Sequence, residues 1–148
     1  NSGNATLINS TEGVLYAEWK PKLSSDFSLL SINNGTAQDI VFIGKYNNTT
    51  SMFVGIRRLG SYVLLYTSSL HDLTIFNKVA IKWKSGDMAV WVNGIEVLSN
   101  TSTVLPIGMN ELSFDFSSNS FPFYGNVKSL VVYKEALTDE QLTCLTTI

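Results

Sequence analysis

Cysteine is nearly absent from this sequence: Cys144 is the only one in 148 residues. A single thiol excludes an internal disulfide framework and any CxxC-type zinc or redox site. Histidine is as scarce, with His71 alone, so a transition-metal site built on His and Cys lacks ligands. Charge is thin as well. Asp, Glu, Lys and Arg make up 15% of the chain, against about 25% in an average globular protein. The net charge is -2 and the pI near 5.3, which excludes the basic excess through which nucleic-acid binders gain from counterion release. Apolar runs stop after a few residues, whereas a membrane-crossing helix needs about 20. The sequence thus points to no nucleic-acid partner and no membrane insertion.

An initiator Met is missing too: the chain opens Asn1-Ser2-Gly3, with no charged-then-apolar signal segment. The expectation is a processed form or a module cut from a longer chain, with residues 1–148 as one domain.

What is present is a core. Hydrophobic residues reach 45% and aromatics 11%, which excludes intrinsic disorder. Asn, Ser and Thr supply polarity without charge. The hydrophobic pattern has period two nearly throughout. It predicts strands at Gly13–Trp19, Phe27–Ile32, Ile40–Tyr46, Ser51–Arg58, Tyr62–Ser68, Lys78–Lys84, Met88–Val92, Ile95–Ser99, Glu111–Phe116 and Asn126–Tyr133. Asn34-Gly35, Leu59-Gly60-Ser61, Ser85-Gly86-Asp87 and Asn93-Gly94 read as turns. Only the C-terminus predicts a helix. Thr138 is its N-cap, Gln141 completes a capping box, and Leu137 with Leu142 forms a hydrophobic staple. Asp139 and Glu140 suit the positive end of the helix dipole. Cys144 reads as a small buried hydrophobe or a helix-end thiol. Many short antiparallel strands with tight turns and one short helix predict an all-β sandwich or barrel.

Two stretches are more specific. One is Lys78-Val79-Ala80-Ile81-Lys82-Trp83-Lys84, a Ser-Gly-Asp turn, then Met88-Ala89-Val90-Trp91-Val92-Asn93-Gly94-Ile95-Glu96-Val97. The other runs from Phe123 to Leu142 and includes Val127-Lys128-Ser129-Leu130-Val131-Val132-Tyr133. With the opening Glu12–Trp19 stretch, they resemble concanavalin A-like jelly rolls, in particular the laminin-G/pentraxin branch. The resemblance implies an antiparallel jelly-roll β-sandwich of two sheets and a carbohydrate- or cell-surface-binding role. The Asn/Ser/Thr-rich style further resembles modules of phage tail fibres, tail spikes and bacterial surface proteins. It thereby implies an extracellular or virion-surface location, and a homotrimer if the source is a tail fibre. The hairpin itself also reads as pure scaffold, with Val79, Ile81 and Trp83 meeting Met88, Val90 and Val92 across the turn.

Some members of that superfamily hydrolyse glycosides, and the residues speak against this. Retaining chemistry needs two carboxyl groups about 5–5.5 Å apart, yet no acid here stands two residues from another. Glu111 and Asp115, four apart on one predicted strand, would be about 13 Å apart. The family's Glu-x-Asp-x-x-Glu pattern is missing. The expectation is not an enzyme. No cofactor is expected. Calcium stays open, because laminin-G-like modules often carry it on rim loops and Asp26, Asp39, Asp72 and Asp87 fall near turns. No acids cluster with EF-hand density, and no ligands are assigned. Sequons at Asn4, Asn9, Asn34, Asn47, Asn48 and Asn100 read as compositional.

A glycan-binding surface stacks aromatic faces on sugar rings and lets polar groups orient the hydroxyls. The stretch from Tyr46 to Asp72 fits best. The candidate ligand-binding residues are Tyr46, Arg57, Arg58, Tyr62, Tyr66, His71 and Asp72. Tyr62, Leu64 and Tyr66 are expected on one face, with Arg58 close to Tyr62. The competing reading turns Tyr62 and Tyr66 inward to cap the core. Phe121-Pro122-Phe123-Tyr124 is a contact loop or a tucked edge. Trp19, Trp83 and Trp91 read as core, and Lys78, Lys82, Lys84 and Lys128 as a solvated strand face. The leading function is a non-catalytic module recognising a glycan or cell-surface polysaccharide. The alternative is a structural or trimer-assembly module with no ligand of its own.

Overall fold

The structure, a computed structural model, describes residues 2, 3 and 6–148. Among them the strands are β1 (Ser2–Gly3), β2 (Glu12–Pro21), β3 (Ser28–Asn33), β4 (Ile40–Tyr46), β5 (Ser51–Arg58), β6 (Ser61–Ser68), β7 (Asn77–Lys84), β8 (Met88–Val92), β9 (Ile95–Asn100), β10 (Glu111–Ser113) and β11 (Gly125–Tyr133). One helix follows, α1 (Asp139–Thr146). The strands form two antiparallel sheets, β1-β10-β3-β4-β5-β6 and β11-β2-β7-β8-β9. Leu30, Ile32, Val41, Ile43, Val54 and Ile56 of the first sheet meet Leu15, Trp19, Val79, Ile81, Trp83 and Val90 of the second in a shared core. These residues are fully buried. No helix is long and apolar enough to cross a membrane among the described residues.

Local chemistry explains most element boundaries. Thr138 Oγ1 accepts from the Gln141 amide at 3.2 Å, and Gln141 Oε1 accepts from the Thr138 amide at 2.9 Å, closing the predicted capping box. In the β7–β8–β9 meander Asn93 Oδ1 accepts from the Lys78 amide at 2.9 Å. Its Nδ2 donates to Asn77 Oδ1 at 2.8 Å, so the side chain ties its own turn to the strand beside it.

Two sequence expectations need correction here. The strand expected to run to Phe116 stops at Ser113. The chain turns locally instead: Asp115 Oδ2 accepts from the Asn119 amide at 2.9 Å, and the Ser120 amide donates to Ser117 O at 2.8 Å. Lys82, expected on a solvated face, is 2% exposed. It lies at the N-terminus of α1, with Asp87 Oδ1 at 2.7 Å and Asp139 Oδ1 at 3.2 Å. Trp19, Trp83 and Trp91 are buried as expected, although Trp91 packs in the cluster that holds Leu142 of α1. Of the two readings of Cys144, the structure has the helix-end thiol, exposed in the last turn of α1.

Candidate functional site

The parity of β4 and β5 separates two kinds of side chain. Val41 and Ile43, with Met52, Val54 and Ile56, point into the sandwich. Ile40, Phe42 and Tyr46, with Phe53 and Arg57, occupy the opposite parity and so the outer face of the six-stranded sheet. Glycines at the same parity make room for the rings. Phe42 pairs with Gly55, and a Cβ at Gly55 would lie 2.9 Å from Phe42 Cζ, so the Phe42 ring occupies space that any other residue would fill.

The rings gather on this face. Leu29, Ile40, Phe42, Phe53 and Phe116 form a cluster of their own. Around it stand Tyr46, Tyr62 and Phe121, with 40%, 48% and 45% of their surface exposed. Phe27 bridges Tyr46, Phe53 and Phe121 at centroid distances of 5.1, 6.1 and 4.4 Å. The rings enclose a depression of ≈ 240 Å³, with Arg57 in its wall.

Arg57 is held flat. Its guanidinium carbon lies 5.2 Å from the Tyr62 ring centre and 5.6 Å from that of Phe116, within reach of cation–π attraction. Nε and Nη2 donate to Gly60 O at 3.0 and 2.6 Å, while Nη1 makes no hydrogen bond among the described residues. Leu59 and Gly60 both adopt positive φ, 49° and 78°, which gives the two-residue turn that aims Gly60 O at the arginine. One edge of the guanidinium thus positions the group and the other remains available to a ligand acceptor.

The structure divides the seven candidate residues. Tyr46, Arg57 and Tyr62 come together on the aromatic face. The other four do not join them. Because the turn has two residues rather than three, Tyr62 pairs with Arg57 and Arg58 with Ser61. Arg58 Nη1 instead binds Asp39 Oδ1 at 3.1 Å, and Asp39 also accepts from the Ile107 amide at 2.9 Å. Tyr66 does not share a face with Tyr62. A bulge places Val63 between the register pairs Ile56–Leu64 and Arg57–Tyr62, which reverses parity and packs the half-buried Tyr66 against the shared core. Its hydroxyl lies 2.7 Å from His71 Nε2. Burial pushes the imidazole below its usual pKa. Asp72 Oδ1 accepts from the side chain and amide of Thr74 at 2.6 and 2.8 Å, bonds that hold its carboxyl below the usual value. Asp72 does not orient His71. Phe27, Phe42, Phe53 and Phe116 were missed, although the aromatic-plus-glycine parity of residues 40–46 and 53–57 is visible in the sequence.

Beside the aromatic face lies a second concavity of ≈ 440 Å³ between residues 22–27 and 121–124. Phe27 and Phe121 belong to both. The Lys45 ammonium, fully buried, donates to Ser25 O at 2.6 Å, Asp26 O at 2.7 Å, Thr49 O at 3.3 Å and Asn47 O. Burial pulls its pKa down, and the Asp26 charge works in the opposite direction. Carbonyls gathered in this way would suit a hard cation, and here a lysine takes that place. No group of three or more His, Cys, Asp or Glu could hold a metal ion among the described residues. Of the acids near turns, Asp39, Asp72 and Asp87 are engaged with Arg58, Thr74 and Lys82.

No family model matches the chain, and no curated protein matches it in sequence. Solved structures do resemble it. The CBM40 of an IT-sialidase from Ruminococcus gnavus has a TM-score of 0.75 at 20% identity, over 97% of this chain and 87% of that one. That module is also solved bound to α2,3- and α2,6-sialyllactose. Domain 4 of AbnA, an extracellular arabinanase from Geobacillus stearothermophilus, was solved in complex with arabinotriose. It gives a TM-score of 0.68 at 20% identity, over 95% and 69% of the two chains. A heptameric SAP-like pentraxin from Limulus polyphemus gives 0.62 at 17% identity, over 93% and 70%. The sandwich, its closing helix and these likenesses agree on one architecture, and the chain has a two-sheet antiparallel jelly-roll fold.

Proposed function

We propose that this chain is a non-catalytic carbohydrate-recognition module that binds a glycan on the outer face of its six-stranded sheet. The observation that carries the reading is the Arg57 guanidinium, set between Tyr62 and Phe116 with Nη1 unbonded among the described residues, in a depression walled by half-exposed rings. Rings supply apolar area against a sugar face, and the planar cation supplies orientation. Among the described residues Arg57 is the one charged residue in the wall of this depression, which supports a sugar that carries a carboxylate. A sialylated glycan, as bound by the Ruminococcus gnavus module, is the first ligand to try. The neighbouring groove adds a single carboxylate, Asp26, where glycoside hydrolysis takes two. An extracellular or virion-surface setting, where glycans and cell-surface polysaccharides are met, follows from the same reading. Tail-fibre origin is the finer version, supported by the Asn/Ser/Thr-rich composition.

The test is a glycan array followed by calorimetry with 3′-sialyllactose. Replacing Arg57 by Ala removes a charge-assisted hydrogen bond of about 1.5–3 kcal/mol, so affinity falls by about 10- to 100-fold. Arg57→Lys keeps the charge, loses the fork and binds with intermediate affinity. An array without a selective hit, together with a stable trimer in solution, would sink the reading and favour an assembly module.

A further inference from the structure

Resting on that reading, we infer that the site takes at least two consecutive sugars, the second in the groove between residues 22–27 and 121–124. The sheet-face depression is ≈ 240 Å³, below the roughly 300–1,000 Å³ of ordinary ligand pockets. The adjoining groove, at ≈ 440 Å³, is larger. The Phe27–Phe121 pair, with ring centres 4.4 Å apart, is the ridge between them. A chain stacked on one side of this ridge has its next unit at the other. The groove has the chemistry of a sugar subsite. Tyr124, half-exposed, lines the groove together with Lys22, Ser24 and Asp26, which carry an ammonium, a hydroxyl and a carboxylate. A donor, a two-way hydroxyl and an acceptor match a pyranose edge, whose hydroxyls both give and take hydrogen bonds.

The walls of the groove are also fixed before any ligand arrives. The Lys22 amide donates to Tyr124 O at 2.7 Å, and the Tyr124 amide to Ser28 Oγ at 2.8 Å. Lys45 holds the Ser25 and Asp26 carbonyls from beneath. A preformed wall loses little entropy on binding, which separates a subsite from a mobile rim.

These contacts to Tyr124 all use its backbone, so Tyr124→Ala removes the ring and leaves the groove standing. The experiment is calorimetry of the full chain with the methyl glycoside of N-acetylneuraminic acid and with 3′-sialyllactose. Wild type is expected to bind the trisaccharide about tenfold more tightly than the monosaccharide. Tyr124→Ala erases that preference and leaves monosaccharide affinity unchanged, while Arg57→Ala weakens both. Equal affinity of wild type for the two sugars, or a preference that survives Tyr124→Ala, overturns the second subsite and leaves the sheet-face site intact. Binding of neither sugar by wild type overturns both.

Discussion

The two sheets bury their inner faces in the same way and treat their outer faces differently. On the five-stranded sheet Val14, Tyr16, Ala80, Ala89 and Trp91 form a patch over which α1 lays Leu142, with Leu137 and Leu145 at its margin. On the six-stranded sheet the buried cluster is Leu29, Ile40, Phe42, Phe53 and Phe116; among the described residues no helix lies over it, and its cover is the half-exposed rings of Tyr46, Tyr62 and Phe121. Small residues are present on both, to different ends: Ala80 and Ala89 let a helix sit close, while the glycine at 55 lets a ring lie on the backbone. The contrast separates a face closed by a helix from one closed by partly exposed rings, and the proposed site stands on the second because exposed apolar groups in one patch mark interaction sites.

The buried lysines repeat the contrast. Lys82, under the N-terminus of the helix, is lowered by burial but raised further by bonds and charges from Asp87 and Asp139, so its pKa ends above the usual value. Lys45 has backbone carbonyls as its hydrogen-bond partners, and its pKa ends below. One lysine closes a structural contact and the other shapes the edge of a groove.

The largest effect should come from breaking the cover. Leu142 is fully buried, and Leu142→Ala is expected to cost about 2–5 kcal/mol, read as a lower urea midpoint. Glycan affinity should not move, because the substituted side chain lies on the opposite sheet. A loss of binding alongside the loss of stability would show that the two faces are coupled. Lys82→Met comes next, at about 1 kcal/mol, since both its partners are more than half exposed. The sign follows from its raised pKa: its contribution is full below the ordinary lysine value and is lost as pH climbs through the raised one. The stability difference between wild type and Lys82→Met should therefore shrink in strongly alkaline solution. A difference that stays constant would mean that Lys82 acts by packing alone.

Most of the architecture was legible because it depends on period and turn chemistry. Every predicted strand has a counterpart, and the capping box at Thr138 and Gln141 forms as read. The site was legible only in part, because a turn one residue shorter than read moved Arg58 off the face and a bulge moved Tyr66. Val63 bulges out of register, and one inserted residue sends Tyr62 outward and Tyr66 inward, an outcome that alternation by itself cannot foresee. The role of Lys82 was hidden for a related reason. Its strand places it at an outward parity, and only the return of the chain as α1 covers that face. Arg57 was found because it ends a strand next to the Gly60 turn with Tyr62 just beyond it, and Tyr46 because it opens the same aromatic stretch.

His71 provides the smallest and most discriminating measurement. It sits with Tyr66 away from the aromatic face, and burial holds its pKa below the ordinary histidine value. In the unfolded chain the imidazole takes up its proton near pH 6.5, and in the folded chain only at lower pH. Stability should therefore be at its plateau above about pH 6.5 and decline as the pH falls below it, levelling once the folded imidazole is protonated as well. Urea midpoints from pH 7.5 down to 5 would trace this decline, and His71→Asn should flatten it. Affinity for 3′-sialyllactose over the same range should follow a different curve, unchanged by His71→Asn, because the proton is taken up at a corner outside the proposed site. If the substitution altered the pH dependence of binding rather than that of stability, the Tyr66–His71 corner would belong to the site, and the division between a closed scaffold and one open aromatic face would have to be redrawn.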